Sequence, residues 1–406
     1  MGVSFSDSGG LRPRRTPLTR SLTGARRPAP LTRLTRTARS RSLAIVILVL
    51  VLGTAVPEWN AGAQNATPPA QGQAAGTQAP QTSTPPANLP RVFLFATGGT
   101  ISNKTGGRLT VEELIQSVPN LDRRVKAEGE QFSNVASGQV TMDQWLGLSR
   151  KINERFRKDA ELAGVVVTTG TDTLEEMAYF LHLTVRDPRP VVVVGSMRNP
   201  STTGYEGVAN LEDAFLVAAD PASKGMGGLV VLNDQINSAR EVTKTDAKLL
   251  NTFSSHDYGM LGTVFDRVVY VRKPVKRHTA QSEFDTDKIQ TLPRVDVILT
   301  YQAAPGDLIK AVVDLGAKGV VIAGAGAGAT SGTQGEGIAY ATEKGAFVVT
   351  TTRTGQGFGI GGTGGRSGSR RIGGDDLQPV KARILLMLAL ATTSEPAEVQ
   401  RMFREY

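Results

Sequence analysis

The sequence predicts an α/β protein of two domains, a larger one followed by a smaller one, each with a parallel sheet between helices. From about residue 90 onwards, short apolar runs rich in valine alternate with longer segments of helical periodicity, which is the pattern of βαβ units. This alternation stops at residues 273–294, where prolines and polar residues replace it, and then resumes over a shorter stretch. A chain of 406 residues, 40% of them hydrophobic, is long enough for two such domains and an appendage.

The appendage is the N-terminal segment 1–63, which has the features of a secretory signal. It holds ten arginines and only two acidic residues, a surplus of eight positive charges out of the chain's net +9. An apolar run at 43–52 and small residues at 61–63 supply a hydrophobic region and a cleavage site, although the basic region is unusually long. We therefore expect a periplasmic or secreted protein, free of the membrane if the signal is cleaved and anchored if it is not. The remaining body is nearly neutral, so nucleic-acid binding is not predicted.

The rest of the chain divides into a linker and the two domains. Residues 64–89 consist mainly of Gln, Ala, Pro, Thr and Gly without a charge, and they predict a disordered linker. The N-terminal domain is expected at 90–272, an interdomain linker at 273–294 and the C-terminal domain at 295–406. In the first domain the apolar runs predict strands at 92–96, 164–169, 190–195 and 228–232, and the periodic segments predict helices at 109–118, 141–158, 174–185 and 208–219. In the second domain we expect strands at 295–299, 319–323 and 347–351 and helices at 308–315, 337–344 and 380–391.

The first candidate site segment is Thr97-Gly-Gly-Thr100, which directly follows the first strand. Its glycines allow a sharp turn and the close approach of a small ligand. Its threonines place hydroxyls at the carboxyl end of a strand, where open parallel sheets bind their ligands. A plain glycine turn with two surface threonines explains the tetrapeptide about equally well.

The second segment, residues 168–173, ends another buried strand and again combines glycine, hydroxyls and a carboxylate. Asp172 is suited to accept a cationic ammonium group, and Thr171 is suited to act with a lysine. The structural alternative is a helix cap, in which Thr171 or Asp172 caps the following helix and Glu175 completes a capping box.

The third segment, residues 239–246, contains Lys244 between two threonines. A threonine is a poor nucleophile until a base removes its proton, and a desolvated lysine can do so. A solvated lysine in a polar loop is, however, the commoner situation.

Together these segments resemble the bacterial type II L-asparaginases and glutaminase-asparaginases. The matching motifs are Thr97-Gly-Gly-Thr100-Ile, Thr169-Gly-Thr171-Asp172-Thr173 and Val242-Thr-Lys244-Thr, and the resemblance extends over about residues 90–406. It implies an α/β, two-domain asparaginase-like fold, with a larger N-terminal mixed-sheet domain that has helices on both faces and a smaller C-terminal parallel-sheet domain. It also implies a homotetramer with each site at a subunit contact, and it requires neither cofactor nor metal.

The resemblance assigns a role to five residues. Thr100 is the nucleophile that attacks the side-chain amide of L-asparagine and forms an acyl-enzyme, which water then hydrolyses to L-aspartate. Thr171, Asp172 and Lys244 form a second catalytic group in which Lys244 is the base toward Thr171. In substrate binding, Asp172 also holds the α-amino group and Ser137 holds the α-carboxylate.

The sequence departs from the family pattern around the substrate. Residues 101–178 contain no tyrosine, although the family's mobile lid normally brings one to the nucleophile. Gly138 replaces a glutamine or glutamate, unless Gln139 substitutes for it. The segment 301–306 lacks the expected asparagine, and 355–374 lacks a carboxylate. We therefore expect a higher KM for asparagine and modest selectivity over glutamine.

Three alternatives remain at the level of the sequence. The first is a glutaminase-asparaginase of relaxed specificity, and the second is a non-catalytic exported protein that binds an amino acid on the same scaffold. The third is a nucleotide-dependent oxidoreductase, because residues 324–329 match G-x-G-x-x-A after a strand, although no predicted helix opens directly behind them. The chain has no cysteine for thiolate chemistry, and its three histidines lack the spacing of a zinc site.

Overall fold

The computed structural model describes residues 88–359 and 368–406. The predicted signal at 1–63 and all but the last two residues of the predicted linker at 64–89 lie outside the described residues. Within the described ranges, no helix is long and apolar enough to cross a membrane.

The larger domain, residues 88–272, contains four helices and twelve strands. The helices are α1 (Val111–Gln116), α2 (Met142–Lys158), α3 (Leu174–Thr184) and α4 (Gly207–Ala219). The strands are β1 (Arg91–Gly98), β2 (Asn103–Lys104), β3 (Gly107–Arg108), β4 (Lys126–Val135), β5 (Leu162–Thr168), β6 (Val191–Val194), β7 (Gly228–Leu232), β8 (Gln235–Ser238), β9 (Thr243–Lys244), β10 (Phe253–Ser254), β11 (Gly262–Val264) and β12 (Val268–Tyr270).

Eight of these strands form one mixed sheet, in the order β12-β11-β8-β7-β6-β5-β1-β4. Five neighbouring strands, β4, β1, β5, β6 and β7, run parallel to one another. Strands β8, β11 and β12 continue the sheet beyond β7 in antiparallel pairs. The remaining strands form two small hairpins, β2 with β3 and β9 with β10.

Helices cover both faces of this sheet because the side chains of each buried strand alternate between the faces. In β1, Phe93 and Phe95 belong to the core under α2 and α3, whereas Leu94 belongs to the core under α1 and α4. Burial on both faces explains why the central strands are continuous apolar runs.

The smaller domain contains four strands and four helices within the described part of residues 295–406. The strands are β13 (Val295–Leu299), β14 (Gly319–Gly324), β15 (Phe347–Thr352) and β16 (Arg371–Gly373). The helices are α5 (Asp307–Asp314), α6 (Gln334–Glu343), α7 (Pro379–Thr392) and α8 (Pro396–Glu405). The strands form a parallel sheet in sequence order. Helices α5 and α6 pack on one face, and α7 packs between the other face and α3 of the larger domain.

The predicted fold class is therefore confirmed, with a larger mixed-sheet domain and a smaller parallel-sheet domain. Between the domains, residues 273–294 contain no α-helix or β-strand and form a short 3₁₀ turn at Thr279–Gln281. This connection packs closely on the larger domain, since Phe284 is fully buried and the Ser282 hydroxyl donates to the carbonyl of Leu183.

Candidate active site

Two of the predicted site segments lie side by side because their strands are neighbours. Strands β1 and β5 pair in parallel, so their carboxyl ends reach the same edge of the sheet. The hydroxyl of Thr97 donates to the carbonyl of Thr168 over 2.7 Å and joins the two strand ends directly. Thr97 is buried, so its role is to hold the turn rather than to meet a ligand.

The glycines of the first segment are required by this close approach. Gly98 has a φ of 105° and Gly99 a φ of 85°, both in the region that favours glycine. A Cβ on Gly99 would lie 2.1 Å from the backbone nitrogen of Gly170, and a Cβ on Gly98 would lie 2.4 Å from the carbonyl oxygen of Val135. The turn therefore fits only without side chains, and this brings Thr100 next to the second segment.

Thr100 begins a 3₁₀ turn that ends at Ser102, and it is half-buried. It lines a small pocket of about 80 Å³ at the edge of the sheet. The pocket is lined by Gly99, Thr100, Asn103, Arg108, Ala136, Ser137, Gly170 and Asp172. Three of the predicted site residues, Thr100, Ser137 and Asp172, therefore face one space.

Lys244 reaches the second segment from the hairpin of β9 and β10. Its ammonium group donates to the Thr171 hydroxyl over 3.0 Å and lies 2.9 Å from Oδ1 of Asp172. Thr171 is buried and the Lys244 side chain is 14% exposed, whereas the Asp172 side chain is 86% exposed. The buried contact is suited to proton exchange between lysine and hydroxyl, and the exposed carboxylate remains accessible to a ligand.

Asp172 lies between two spaces. It lines the pocket of Thr100 and also a more open cleft of about 350 Å³, whose other lining residues are Lys244, Thr245, Asp246 and Ala247. The lysine–threonine pair and the Thr100 pocket are thus connected through one carboxylate.

The capping interpretation of the second segment is wrong. The N-cap of α3 is Thr173, and its side chain makes no capping hydrogen bond. Thr171 and Asp172 lie before the cap, and Glu175 accepts a hydrogen bond from the backbone nitrogen of Lys244 over 3.3 Å. Thr171, Asp172 and Glu175 therefore all contact Lys244, and Asp172 also lines the pocket.

A buried lysine that the sequence analysis did not assign supports the Lys244 segment from behind. Lys381, on α7, is fully buried, and its ammonium group donates to the carbonyls of Arg240, at 2.9 Å, and of Val242. Glu175 Oε2 lies 4.0 Å from it. Burial lowers the pKa of Lys381 to about 8. A lysine within the apolar pattern of 380–391 was the signal that could have found it.

The segment after Thr100 is a hairpin of two short strands. Asn103 pairs with Arg108 across β2 and β3, and the turn between them is fixed by a hydrogen bond of 2.8 Å from the Thr105 nitrogen to the Ser201 hydroxyl. The Tyr205 hydroxyl donates to the carbonyl of Ile101 over 2.8 Å. The side chains of Asn103 and Arg108 line the pocket, and sequence reasoning did not identify either of them.

The other replacements considered for the substrate clamp lie elsewhere. Gln139 directs its side-chain oxygen to the backbone nitrogen of Ala136 at 3.4 Å and does not line the pocket. A side chain at Gly138 would meet open space. Tyr301, two residues beyond β13, is also absent from the lining. In the segment 355–374, which lacks the carboxylate of the family pattern, residues 360–367 lie outside the described ranges.

The competing sequence interpretations gain no support from the geometry. The glycine-rich run that begins at Gly324 follows β14, but the next helix, α6, begins only at Gln334, so no helix opens directly behind this turn as the nucleotide-binding motif requires. Across residues 88–359 and 368–406, no three His, Cys, Asp or Glu side chains form a group that could hold a metal. His182 and His278 form a buried pair away from the pocket, with ring centroids 5.3 Å apart.

Comparison with known proteins identifies the family. The protein-family model "Asparaginase, N-terminal" matches residues 91–276 of the sequence, and the family model "Glutaminase/Asparaginase C-terminal domain" matches residues 294–403. The protein "L-asparaginase 2" of Bacillus subtilis is 41% identical over 329 residues, which cover 79% of this chain and 87% of the relative. The chain belongs to the asparaginase family.

Other members extend the comparison to a solved structure. "L-asparaginase 2" of Escherichia coli is 38% identical over 338 residues, covering 78% of this asparaginase-family chain and 94% of the relative. The crystal structure titled "Probable Cytoplasmic L-asparaginase" from Campylobacter jejuni is 37% identical, with a TM-score of 0.74 over 78% of this chain and all of the other.

Proposed function

We propose that this protein is an L-asparaginase, an amidohydrolase that converts L-asparagine to L-aspartate and ammonia. The observation that carries the proposal is the contact of 3.0 Å between the Lys244 ammonium group and the buried Thr171 hydroxyl, beside a pocket that Thr100 and Asp172 both line. A lysine held against a buried threonine is the arrangement that activates a weak hydroxyl. Binding alone would need neither group.

In the proposed reaction Thr100 Oγ1 attacks the side-chain carbonyl carbon of asparagine. The hydroxyl proton passes to the leaving nitrogen by way of the lysine–threonine pair, the C–N bond breaks and ammonia leaves. Water then attacks the ester at Thr100, and L-aspartate is released with the threonine restored. Backbone N–H groups beside Thr100 or Thr171 stabilise the oxyanion in both steps.

The substrate is held by its amino-acid end. The exposed carboxylate of Asp172 receives the α-ammonium group, and the hydroxyl of Ser137 donates to the α-carboxylate. Without a lid tyrosine, fewer groups distinguish side chains that differ by one methylene, a difference worth only about 1–3 kcal/mol even in a fitted pocket. We therefore expect a raised KM for asparagine and hydrolysis of glutamine as a secondary activity.

The test is ammonia release by the purified full-length protein from L-asparagine and L-glutamine, with and without EDTA. We expect hydrolysis of both amides that EDTA does not reduce, with a higher kcat/KM for asparagine. Two variants are compared in the same assay. Thr100→Ala in the pocket should lose most of the activity, whereas Thr105→Ala at the tip of the β2–β3 hairpin should keep it. Binding of L-aspartate in a calorimeter without any ammonia release would instead establish the non-catalytic alternative.

We also infer that the protein is exported and assembles as a homotetramer. Export is supported by the basic, apolar and small-residue regions of 1–63, and the tetramer by the family resemblance. Fractionation of cells that express the full chain, followed by N-terminal sequencing, tests export and cleavage. Sedimentation equilibrium tests the assembly, and a stable active monomer would contradict it.

A further inference from the structure

The hairpin of β2 and β3 places a positive charge in the pocket of Thr100. Of the eight residues that line this fully described pocket, Arg108 is the only cationic one, and Asp172 is the only acidic one. Asp172 is paired with Lys244, whereas within the described residues no carboxylate lies in salt-bridge distance of Arg108. An arginine without an acidic partner, on the wall of a small pocket, is available to an anionic ligand.

The position of this arginine is fixed before any ligand binds. Its backbone pairs with Asn103 in the hairpin, and the nitrogen of the next residue, Leu109, donates to the carbonyl of Ser102 over 2.7 Å. Its guanidinium donates through Nη1 to the carbonyl of Gly99 at 3.3 Å, next to Thr100. A guanidinium has five N–H donors in a planar fork, so this one contact leaves others for a ligand.

The proposed substrate presents a matching charge. A free amino acid carries an α-ammonium and an α-carboxylate on one carbon, and in the proposed function the ammonium group lies against Asp172. Ser137 offers the carboxylate only a neutral hydroxyl, and Gly138 offers it no side chain. A guanidinium binds a carboxylate through two parallel hydrogen bonds, which supplies both charge and direction.

We propose that Arg108 binds the α-carboxylate of the substrate together with Ser137, in place of the contacts that a closing lid and a longer side chain at position 138 would make. This inference rests on the proposed function and names the group that selects α-amino-acid amides over simple amides. Because the hairpin is anchored to Ser201 and Ile101 is held by Tyr205, the cation is in place without a lid movement.

The test compares two substrates in three variants. L-Asparagine carries the α-carboxylate, and L-aspartic acid diamide replaces it with a neutral amide. We expect Arg108→Met to raise the KM for asparagine by about ten- to a hundredfold, the effect of losing a charge-assisted hydrogen bond, with kcat within about threefold. The KM for the diamide should not change, and Arg108→Lys should restore part of the affinity for asparagine. Arg123→Met, an exposed arginine outside the pocket, is the matched control and should behave as wild type.

Two outcomes overturn the proposal. An unchanged KM for asparagine in Arg108→Met would show that the guanidinium does not meet the substrate. An equal loss for both substrates, or a loss confined to kcat, would show that it only supports the turn at Gly99. Calorimetric titration with L-aspartate tests the same contact without catalysis. If the wild-type protein released no ammonia, the proposed function would be refuted. The role of Arg108 could still be tested by the effect of Arg108→Met on aspartate binding.

Discussion

At the residue scale, the Thr171 hydroxyl contacts a lysine, Lys244, that lies 73 residues further along the chain. The two groups act as one unit if Lys244 exchanges the proton of the Thr171 hydroxyl, and removing either member then removes the function of both. The neighbouring carboxylate contributes little stability through its ion pair, because the Asp172 side chain is 86% exposed. In the proposed function, the value of Asp172 is therefore as a ligand for the substrate.

The first prediction follows from this unit. Thr171→Val and Lys244→Met should each reduce kcat for asparagine by about 10³-fold, while the melting temperature changes little. The double variant should be no slower than the slower single variant by more than a few fold. Lys248→Met, an exposed lysine of the same loop, is the control. Multiplicative losses in the double variant would mean that Lys244 acts separately from Thr171.

The second prediction concerns the turn that carries Thr100. Gly99→Ala should abolish most activity and destabilise the protein by several kcal/mol, because the new Cβ would lie 2.1 Å from the Gly170 nitrogen and the φ of 85° is strained for alanine. Gly147→Ala is the control, since this glycine lies within α2 and its Cβ would meet only the tip of Phe132 at 3.9 Å. There alanine should stabilise the helix by up to about 1 kcal/mol. Thermal melts and kcat of both variants are the measurements.

At the element scale, the strands of the larger domain that the sequence predicted are those buried on both faces. The apolar runs predicted β1, β5, β6 and β7 to within two residues at every end, because continuous valine-rich segments have few other uses in a globular protein. Strand β4 was missed because it is an edge strand that contains Lys126, Glu128 and Glu130 and lacks an apolar run. The antiparallel strands β8 to β12 were missed because, at two to four residues each, they are too short to show an apolar run or an alternating pattern.

In the candidate site, too, some residues could be predicted from the sequence and others could not. The glycine–threonine segments were recognisable because the chemistry and the turn require particular residues at adjacent positions. No sequence pattern indicated Arg108 as a site residue, and for Lys381 the sequence offered only a lysine within an apolar helical pattern. The roles of both depend on contacts between distant segments. Arg108 reaches Gly99 through a hairpin that the sequence did not predict, and Lys381 reaches the carbonyl of Arg240 from the other domain, 141 residues along the chain.

The third prediction concerns helix α7 and its contact with the segment that leads into the hairpin of β9 and β10, which carries Lys244. Lys381→Met removes the donor of two buried carbonyls, at a cost of about 1–3 kcal/mol for each group left unpaired. The substitution also removes the hydrogen bond that holds the carbonyl of Val242, two residues before Lys244. We expect a lower melting temperature together with a reduced kcat, whereas Lys310→Met on the exposed side of α5 should change neither. Loss of stability with an unchanged kcat would show that Lys381 supports the fold without positioning Lys244.

At the scale of the whole molecule, the two domains share a hydrophobic core cluster, and a buried pair of histidines joins the connection between the domains to the larger domain. Residues of α3 and α7 belong to the same core cluster. His182 of α3 accepts a hydrogen bond from the nitrogen of Gly228 at 3.1 Å, and the ring of His278, which belongs to the connection, lies beside it at a tilt of 48°. Burial lowers the pKa of both imidazoles, and in His182 the charge of His278 lowers it further.

The last prediction is a loss of stability in mild acid. Both histidines stay neutral in the folded protein below the ordinary pKa of about 6.5, whereas the unfolded chain takes up their protons. The unfolded state therefore binds more protons as the pH falls through 6.5, and each histidine lowers the free energy of unfolding by up to about 1.4 kcal/mol per pH unit. Asp213 acts in the opposite direction over the same pH range. Burial raises its pKa to about 7, so the folded state binds a proton that the unfolded chain does not, and this contribution stabilises the protein as the pH falls.

A comparison of variants separates these contributions. Urea unfolding at pH 7.5, 6.5, 5.5 and 5.0 should give a flatter pH dependence for His278→Gln than for wild type, because the variant retains Asp213 and loses one of the neutral histidines. His256→Gln should follow wild type, since this histidine is exposed. Parallel curves for wild type and His278→Gln would show that the pair takes up protons in the folded state as readily as in the unfolded chain, and that the connection between the domains does not restrict their titration.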